Sequence, residues 1–254
     1  VADHYSQARQ FLISQTPIEQ KHIGDALVFE LSKVERPDIR TRMVSHLVNI
    51  DAGLAATVAD GLGMEVPEAA QAARPTMTEL PPSAALSIVA NGPDSFEGRK
   101  VGILVTDGSD SKMLAGLTKA IEKEGALYEL VAPKIGGVTL SDGTKMPAKQ
   151  KIDGGPSILY DAVAVIPSQE GAALLAIDAP SKDFVTDAFA HCKFIGIGPD
   201  AAPLFEKAGL SDDLDDGCLP VGSAKDATAF IEACRKLRFW DRELNVDLDA
   251  QADA

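Results

Sequence analysis

The sequence predicts an α/β fold in which a doubly wound parallel sheet is preceded by a small all-α segment. Three observations support this prediction. Short apolar runs alternate with amphipathic helical stretches over residues 98–240, a pattern typical of parallel sheets with helices on both faces. Residues 1–64 carry a series of helix signals. Residues 65–97 contain five prolines and no helical period that survives them, which indicates a linker.

Residues 1–64 contain strong helix-start signals. Asp3 is placed to cap a first short helix, and Thr16-Pro17-Ile18-Glu19 combines a cap, an N-terminal proline and the glutamate of a capping box. Pro37 and Asp51 open two further helices. The predicted apolar stripes are Ile23, Leu27, Leu31 and Val34; Ile39, Met43, Leu47 and Ile50; and Leu54, Val58 and Leu62. About sixty residues form only a marginal core, so we expect these stripes to need a partner surface.

Two segments are expected to lack regular structure. The linker, residues 65–97, is predicted to wrap over a surface, with residues 85–89 as its one candidate for local structure. The tail, residues 241–254, has five acidic residues against one basic residue and little apolar content. We expect this tail to be loose.

Strands and helices alternate along residues 98–240. The predicted strands are residues 100–105, 127–132 and 162–167 and the run that starts at Phe194. Asp142-Gly143 between apolar runs predicts a hairpin over residues 137–146. The predicted helices are one carrying Met113, Leu114, Leu117 and Ile121, one over residues 184–190, one ending at Gly209, and one capped by Ser223 that runs through Leu237.

The turn Gly198-Pro199-Asp200 is the clearest candidate for a functional position. It joins the apolar run 194–197 to a helical segment, so it predicts a strand, a tight turn and a helix. Ligands bind at such carboxyl strand ends, and hydrolases of this class place their nucleophile on the turn. No Cys, Ser or Thr occurs between Phe194 and Leu210. We therefore expect an elbow without a nucleophile.

Composition excludes several classes of function. The net charge of −14 and the pI near 4.7 argue against nucleic acid and anionic membranes as partners. The cysteines, Cys192, Cys218 and Cys234, have no paired spacing and predict reduced thiols. Three of the four histidines lie in the first fifth of the chain, far from any cysteine, so no metal site is expected.

With no visible signal peptide, we expect an intracellular, cytoplasmic protein. The missing initial Met suggests processing or a piece of a longer chain.

Several motifs resemble one family. Residues 3–9 (DHYSQAR), 14–20 (SQTPIEQ) and 58–64 (VADGLGM) resemble the helical domain of large-subunit catalases. In that family a linker and a flavodoxin-like domain follow, similar to the DJ-1/PfpI superfamily and to class I glutamine amidotransferases. The order of segments is the same here, so the resemblance covers nearly the whole chain. It implies a C-terminal part of an enzyme that decomposes hydrogen peroxide.

The resemblance also implies what this chain lacks. Large catalases hold haem in a β-barrel that precedes the helices, with a distal His and Asn and a proximal Tyr in an Arg-x-Phe-x-Tyr pattern. These motifs do not occur in this sequence, so the chain itself is expected to bind no haem and to destroy no peroxide. The implied partners are the rest of the catalase subunit and neighbouring subunits, and a homo-oligomer stays open.

Similarity to the DJ-1/PfpI superfamily implies a lost catalytic site. Alignment through residues 204–210 places the nucleophilic Cys of that superfamily at or next to Pro199, and its following His at Asp200. The acidic partner falls near Asp110 or Ser111. Without a thiolate or a paired base, covalent catalysis has no starting group, so Asp110 is at most a vestigial acid. Some relatives in this superfamily act as molecular chaperones, which makes holdase activity toward unfolded clients a companion hypothesis.

Other functions stay open at this point. Cys192, beside His191, or Cys218 could serve a divergent DJ-1/PfpI-type thiol hydrolase or glyoxalase. A small-anion or nucleotide receptor could use the loop of residues 107–110, although its two acids oppose an anion. The acidic run 212–216 lacks the ligand spacing of a calcium loop, so we expect a solvated turn. Trp240 with Phe239, at the end of the last helix, is expected to anchor against the sheet, with an exposed client-binding patch as the alternative.

Overall fold

The computed structural model describes residues 2–246, apart from the side chain of Leu244. The chain forms two compact units, Val1–Gly92 and Pro93–Ala254, and each is described by itself. Within the described residues, no helix combines the length and the apolar character needed to cross a membrane.

The first unit begins with four helices, as predicted. They are α1 (Ser6–Ile13), α2 (Pro17–Ser32), α3 (Pro37–Ile50) and α4 (Ala52–Gly61). The capping box is confirmed, because Thr16 Oγ1 accepts from Glu19 N at 3.3 Å and Glu19 Oε2 accepts from Thr16 N at 2.9 Å. Asp51 caps α4 by accepting from Leu54 N at 3.1 Å. Asp3 Oδ1 accepts from the N–H groups of Tyr5 and Ser6 at the start of α1, whereas the N-cap position itself is Tyr5, which has no side-chain cap bond.

The core of this unit is small. Its buried members are Val44, Leu47, Ala55, Val58 and Ala59. The stripe predicted on α3 is wrong at Met43, which is exposed, whereas the neighbouring Val44 is fully buried. The reason is that α3 packs on α4, and that contact turns the face of Val44 and Leu47 inward. The stripe predicted on α2 is only half-buried.

The proline-rich segment after α4 lies over the helices of its own unit. Its local structure is limited to a 3-10 turn, Ala84–Leu86, rather than the expected residues 85–89. Backbone N–H groups of Met77 and Ser83 donate to the hydroxyl groups of Ser6 and Ser14, both at 2.8 Å. These bonds hold the segment against α1.

The second unit is built on a six-stranded parallel sheet. The unit contains eight strands among its described residues, six in this sheet and two in a separate hairpin. They are β1 (Lys100–Val105), β2 (Leu127–Ala132), β3 (Val138–Thr139), β4 (Lys145–Met146), β5 (Gln150–Lys151), β6 (Ala162–Ile166), β7 (Ile195–Ile197) and β8 (Cys218–Pro220). The sheet order is β5-β2-β1-β6-β7-β8, and each neighbouring pair is parallel. Strands β3 and β4 form the predicted antiparallel hairpin.

Helices cover both faces of this sheet. They are α5 (Ser111–Lys123), α6 (Gln169–Ile177), α7 (Ala179–Ala190), α8 (Ala202–Lys207), α9 (Ala224–Cys234) and α10 (Glu243–Val246). Helices α5 and α9 pack on the face that includes Ile103, whereas α6, α7 and α8 pack on the face that includes Leu104. The predicted α/β unit with a parallel sheet is confirmed.

The expectation of a loose tail is wrong for residues 241–246. A 3-10 turn, Trp240–Arg242, leads directly into α10, and the side chain of Arg242 is fully buried. The physical reason is a buried ion pair, described below, that the local composition does not reveal. Residues 247–254 of the predicted tail lie outside the described residues.

Candidate functional site

The sheet topology marks one place where a ligand would be expected. In the sheet, β1 lies between β2 and β6. The chain passes from β1 to β2 on one side and later returns to β6 on the other side. In doubly wound sheets, ligands bind beyond the carboxyl ends of the strands where the order reverses in this way. The loops at this point are residues 106–110 after β1 and residues 167–168 after β6.

Hydroxyl groups join the two strand ends at this switch point. Ser109 is fully buried; its Oγ donates to Ile166 O at 2.6 Å and accepts from Thr106 N at 2.9 Å. Thr106 Oγ1 accepts from Ser168 N at 3.0 Å. Ser168 Oγ in turn donates to Asp107 O at 2.6 Å. The polar groups that could contact a ligand here are therefore bonded to each other.

The first turn of α6 leaves little room above Thr106. A Cβ atom built on Gly171 would overlap the Thr106 side chain, so the helix backbone lies directly against it. Ser168 caps this helix by accepting from Gly171 N at 3.0 Å.

Sequence reasoning missed Thr106, Ser109 and Ser168 as a unit. The available signal was that hydroxyl residues follow two apolar strands closely.

The acids of the loop after β1 also have structural partners. Asp110, the predicted vestigial acid, caps α5 by accepting from Met113 N at 2.8 Å. Asp107 Oδ1 accepts from Thr139 N at 2.8 Å. Ser111 N donates to the hydroxyl oxygen of Ser141 at 3.1 Å. The loop is thus held by the hairpin and by α5, and this arrangement does not favour phosphate binding.

The turn Gly198-Pro199-Asp200 lies at the carboxyl end of β7. Gly198 N donates to Val165 O at 2.8 Å, and a Cβ atom built on Gly198 would lie 3.7 Å from Met113 Sδ. The structure therefore brings the predicted elbow next to the start of α5, which Asp110 caps. Pro199 and Asp200 are exposed.

This turn also lacks the strained backbone of a nucleophile elbow. Among the described residues, the non-glycine residues with positive φ are Cys192 and Leu237, and neither lies in the turn. Ala201 precedes α8 without a side-chain cap. The turn offers an exposed carboxylate at Asp200 and no nucleophile or paired base.

The thiol groups are poorly placed for chemistry. Cys192 lies before the amino end of β7, opposite the elbow, and burial raises the pKa of its thiol to about 11. Burial likewise raises the pKa of Cys218 to about 11 and raises the pKa of Cys234. Because the thiolate is the reactive form, a thiol hydrolase or glyoxalase mechanism is not favoured.

The acidic run before β8 contains a structural residue rather than only a solvated turn. Asp215 accepts two hydrogen bonds from Arg242, each 2.7 Å long. Burial acts to raise the pKa of Asp215, but the hydrogen bonds and charge of Arg242 outweigh burial and lower it. Among residues 2–246, no group of three or more His, Cys, Asp or Glu residues could hold a metal ion.

The aromatic pair after α9 divides into two roles. The Phe239 ring lies 6.1 Å from the Phe194 ring, edge to face, and packs on the core, which confirms the predicted anchor. Trp240 is 37% exposed, so its indole is not a core residue.

Comparison with known proteins gives consistent matches along the chain. Residues 97–243 match the family described as the C-terminal domain found in long catalases, and residues 1–62 match the family described as catalase-related immune-responsive. The similar curated proteins include Catalase C of Rhizobium meliloti (strain 1021), 56% identical over 97% of this chain and 35% of the relative. Catalase HPII of Pseudomonas putida is 37% identical over 95% of this chain and 33% of its own length. The chain spans about a third of the length of these relatives.

Proposed function

This chain belongs to the family of C-terminal domains found in long catalases, and from that premise we propose that it is a non-catalytic domain of a haem catalase. Its role is to stabilise the parent subunit and the assembly with neighbouring subunits. Decomposition of hydrogen peroxide is then the oxidoreductase activity of the parent. The observation that carries the proposal is the hydroxyl network of Thr106, Ser109 and Ser168, which fills the place where an enzyme of this topology would bind its ligand.

The strand order supports a flavodoxin-like fold of the DJ-1/PfpI type for the second unit. Apart from the two-residue edge strand β5, the order is β2-β1-β6-β7-β8. Numbered along the chain, this is the order 2-1-3-4-5 of flavodoxin-like sheets. In this interpretation Gly198, Pro199 and Asp200 occupy the elbow of an enzyme scaffold that has lost its nucleophile.

We assign the haem to the part of the parent catalase outside this chain. A tyrosine that ligates haem iron in a catalase must give up its phenolic proton. Burial, together with the neighbouring carboxylate of Glu129, raises the pKa of Tyr160 well above its ordinary value, which opposes that ionisation. The phenol of Tyr5 is 2.8 Å from His46 Nδ1 and is held in that pair. Neither Tyr160 nor Tyr5 therefore fits the role of a haem ligand.

An apolar groove supports the proposed contact of the helical unit with the rest of the subunit. The groove has a volume of about 440 Å³. Its apolar lining residues include Phe11, Leu12, Ile23, Leu27, Leu47, Ile50 and Leu54. Several of these residues belong to the stripes that are only half-buried in this unit. Burial of such a surface by the parent would stabilise both parts.

The proposal is tested with the chain and with a long catalase that carries this domain. The chain alone, with and without added haemin, should release no oxygen from hydrogen peroxide. A parent catalase that ends just before the position equivalent to residue 97 of this chain lacks the C-terminal domain. It should keep its turnover per haem, and its subunits should dissociate at a lower temperature than those of the full-length parent. Peroxide decomposition by the chain, or unchanged heat stability and assembly of the truncated parent, would contradict the proposal.

A second candidate function is a molecular chaperone of the holdase type, which would serve cells under oxidative stress. Large apolar side chains of the second unit are strongly exposed: Ile158 at 65%, Leu174 at 63% and Ile177 at 79%. Exposed apolar side chains can bind unfolded client proteins without a nucleophile. Light scattering from a heat-aggregating client enzyme tests this role. The chain should suppress aggregation, and replacing these three residues by Ser should remove the effect. Equal suppression by an inert acidic protein would contradict it.

Net charge and free cysteines bear on the partners and the location of the protein. The net charge of −14 disfavours nucleic acid and anionic membranes. The free cysteines support an intracellular, cytoplasmic site of action, where thiols stay reduced. The proposed partners are the rest of the parent subunit and the neighbouring subunits. For the chaperone function, the proposed partners are unfolded client proteins.

A further inference from the structure

Two strained backbone positions lie close together at the end of the sheet where the parallel strands begin. Leu237 has φ of +66° and Cys192 has φ of +53°, values that are costly for residues with a Cβ atom. Arg238 N donates to Lys236 O at 2.8 Å, so Leu237 is the centre of a γ-turn with positive φ, the rare and strained form. Phe239 N donates to Cys192 O at 2.7 Å and links the two positions. Such strain persists only where the surrounding structure requires it.

The strained turn places Arg238 beside a second arginine. Arg238 Nη1 donates to Asp161 O at 3.2 Å and to Leu237 O at 2.9 Å. Arg99 Nη1 donates to Asp161 Oδ1 at 3.3 Å, and Lys100 N donates to Asp161 Oδ2 at 2.9 Å. Two guanidinium groups therefore approach one aspartate, and both of its carboxylate oxygens are occupied.

At this place Arg99, Arg238 and Lys193 face the carboxylates of Asp161 and Asp187, so three positive groups meet two negative ones. Behind Asp161 lies the buried Lys193, whose Nζ donates to Tyr160 O at 2.6 Å. Burial lowers the pKa of Arg238; attraction to Asp161 opposes this, and the smaller repulsion by Arg99 adds to it. An unbalanced cationic cluster is unexpected in a chain with a net charge of −14.

The two arginines keep donors that the protein does not use. Within the described residues, the Nε and Nη2 groups of Arg99 and Arg238 have no hydrogen-bond partner. Solvent reaches these nitrogen atoms, because none of them is buried. Arginine forks match the oxygen spacing of phosphate and carboxylate groups and bind them more strongly than neutral donors do.

We propose that Arg99 and Arg238 form a binding site for a phosphate-class oxyanion at the amino-terminal edge of the sheet, between the starts of β1 and β6. The ligand bridges the two guanidinium groups and offsets their mutual repulsion. The strained γ-turn at Leu237 holds Arg238 in position for it. This site lies at the opposite end of the sheet from the filled switch point and is independent of the proposed structural role.

Calorimetric titration of the full chain with inorganic phosphate, at constant ionic strength, tests this site. Saturable binding is expected, accompanied by a rise in melting temperature that follows the ligand concentration. Arg99→Gln and Arg238→Gln should each weaken binding by about tenfold or more, since each removes charge-assisted hydrogen bonds. Arg36→Gln is the matched control, because Arg36 pairs with Asp38 at an exposed site, and it should bind phosphate like the original chain.

The two variants separate binding from folding. Arg238→Gln also removes hydrogen bonds to two carbonyl groups and can disturb the turn, whereas Arg99→Gln leaves the γ-turn intact. A phosphate monoester used as a second probe identifies the source of the ligand: tighter binding of the monoester indicates an esterified phosphate, and weaker binding indicates the free ion. No saturable binding at millimolar phosphate, or Arg99→Gln binding as tightly as the original chain, would overturn the proposal.

Discussion

The guanidinium group of Arg242 donates two hydrogen bonds of 2.7 Å to the carboxylate of Asp215 while its own side chain is fully buried. Its Nη1 group donates to Lys193 O at 2.8 Å and to Phe189 O at 3.3 Å. The guanidinium carbon lies 4.2 Å from the centre of the Phe189 ring. This residue therefore holds the segment after α9 against α7 and against the loop before β8.

Replacement of Arg242 by Met should lower the free energy of unfolding by about 3–5 kcal/mol, because Asp215 then keeps a partly buried charge without a partner. Urea denaturation of the full chain measures the change. Lys151→Met is the control in the same unit, because Lys151 and Asp153 are half-exposed and such pairs contribute about 1 kcal/mol or less. Equal losses in the two variants would mean that burial of Arg242 is not decisive.

Lys193 should make the protein more stable as the pH rises above 8. Burial, followed by repulsion from Arg238, lowers the pKa of Lys193 to about 8, although Asp161 and Asp187 act in the opposite direction. In the unfolded chain its pKa returns to the ordinary 10.5. Between these values the unfolded state binds more protons, so the free energy of unfolding rises with pH.

Denaturation of the original chain and of Lys193→Met across this pH range measures the effect. The stability of the original chain relative to the variant should increase from pH 8 to pH 10.5. The comparison cancels the contribution of the cysteines, whose raised pKa values act in the opposite direction. Parallel pH profiles for the two proteins would refute the assignment to Lys193.

The cysteines should react slowly while the protein is folded. Burial raises the pKa of Cys192 and Cys218 to about 11, so their thiolate fraction at neutral pH is far below that of free cysteine. Alkylation by iodoacetamide should be about tenfold slower, or more, than alkylation of free cysteine. Mass spectrometry follows the reaction, with the chain in denaturant as the control in which all three thiols react. Fast labelling of folded Cys192 or Cys218 would revive the thiol-enzyme hypothesis.

A side chain at Gly171 should disrupt the switch point. The added methyl group of Gly171→Ala meets Thr106, and overpacking of this kind costs about 1–3 kcal/mol. Gly136→Ala is the matched control, because a Cβ atom at Gly136 meets nothing within 4 Å. Chemical denaturation of both variants measures the difference. If Gly171→Ala is no less stable than Gly136→Ala, a space exists beside Thr106 that could admit a ligand.

Local signals predicted the elements well. The capping box at Thr16, the cap at Asp51 and the hairpin at Asp142-Gly143 all appear where their short motifs lie. Asp110, for which similarity to an enzyme family suggests a vestigial acid, likewise caps a helix, because it accepts from Met113 N at 2.8 Å. A carboxylate three residues before a helical N–H serves as a cap whatever the ancestry of the loop.

By itself the sequence determined the parallel sheet, its covering helices and the absence of a nucleophile at Gly198-Pro199-Asp200, because apolar periodicity, caps and turns act over a few residues. Only the tertiary structure decided that Thr106 and Ser168, 62 positions apart, are hydrogen-bonded to each other at the switch point. It also decided that Arg242 is buried against Asp215, 27 positions away. Contacts of this kind depend on strand order and on the packing of distant segments. A charged residue in an acidic stretch has the same local sequence whether its partner is water or a buried carboxylate.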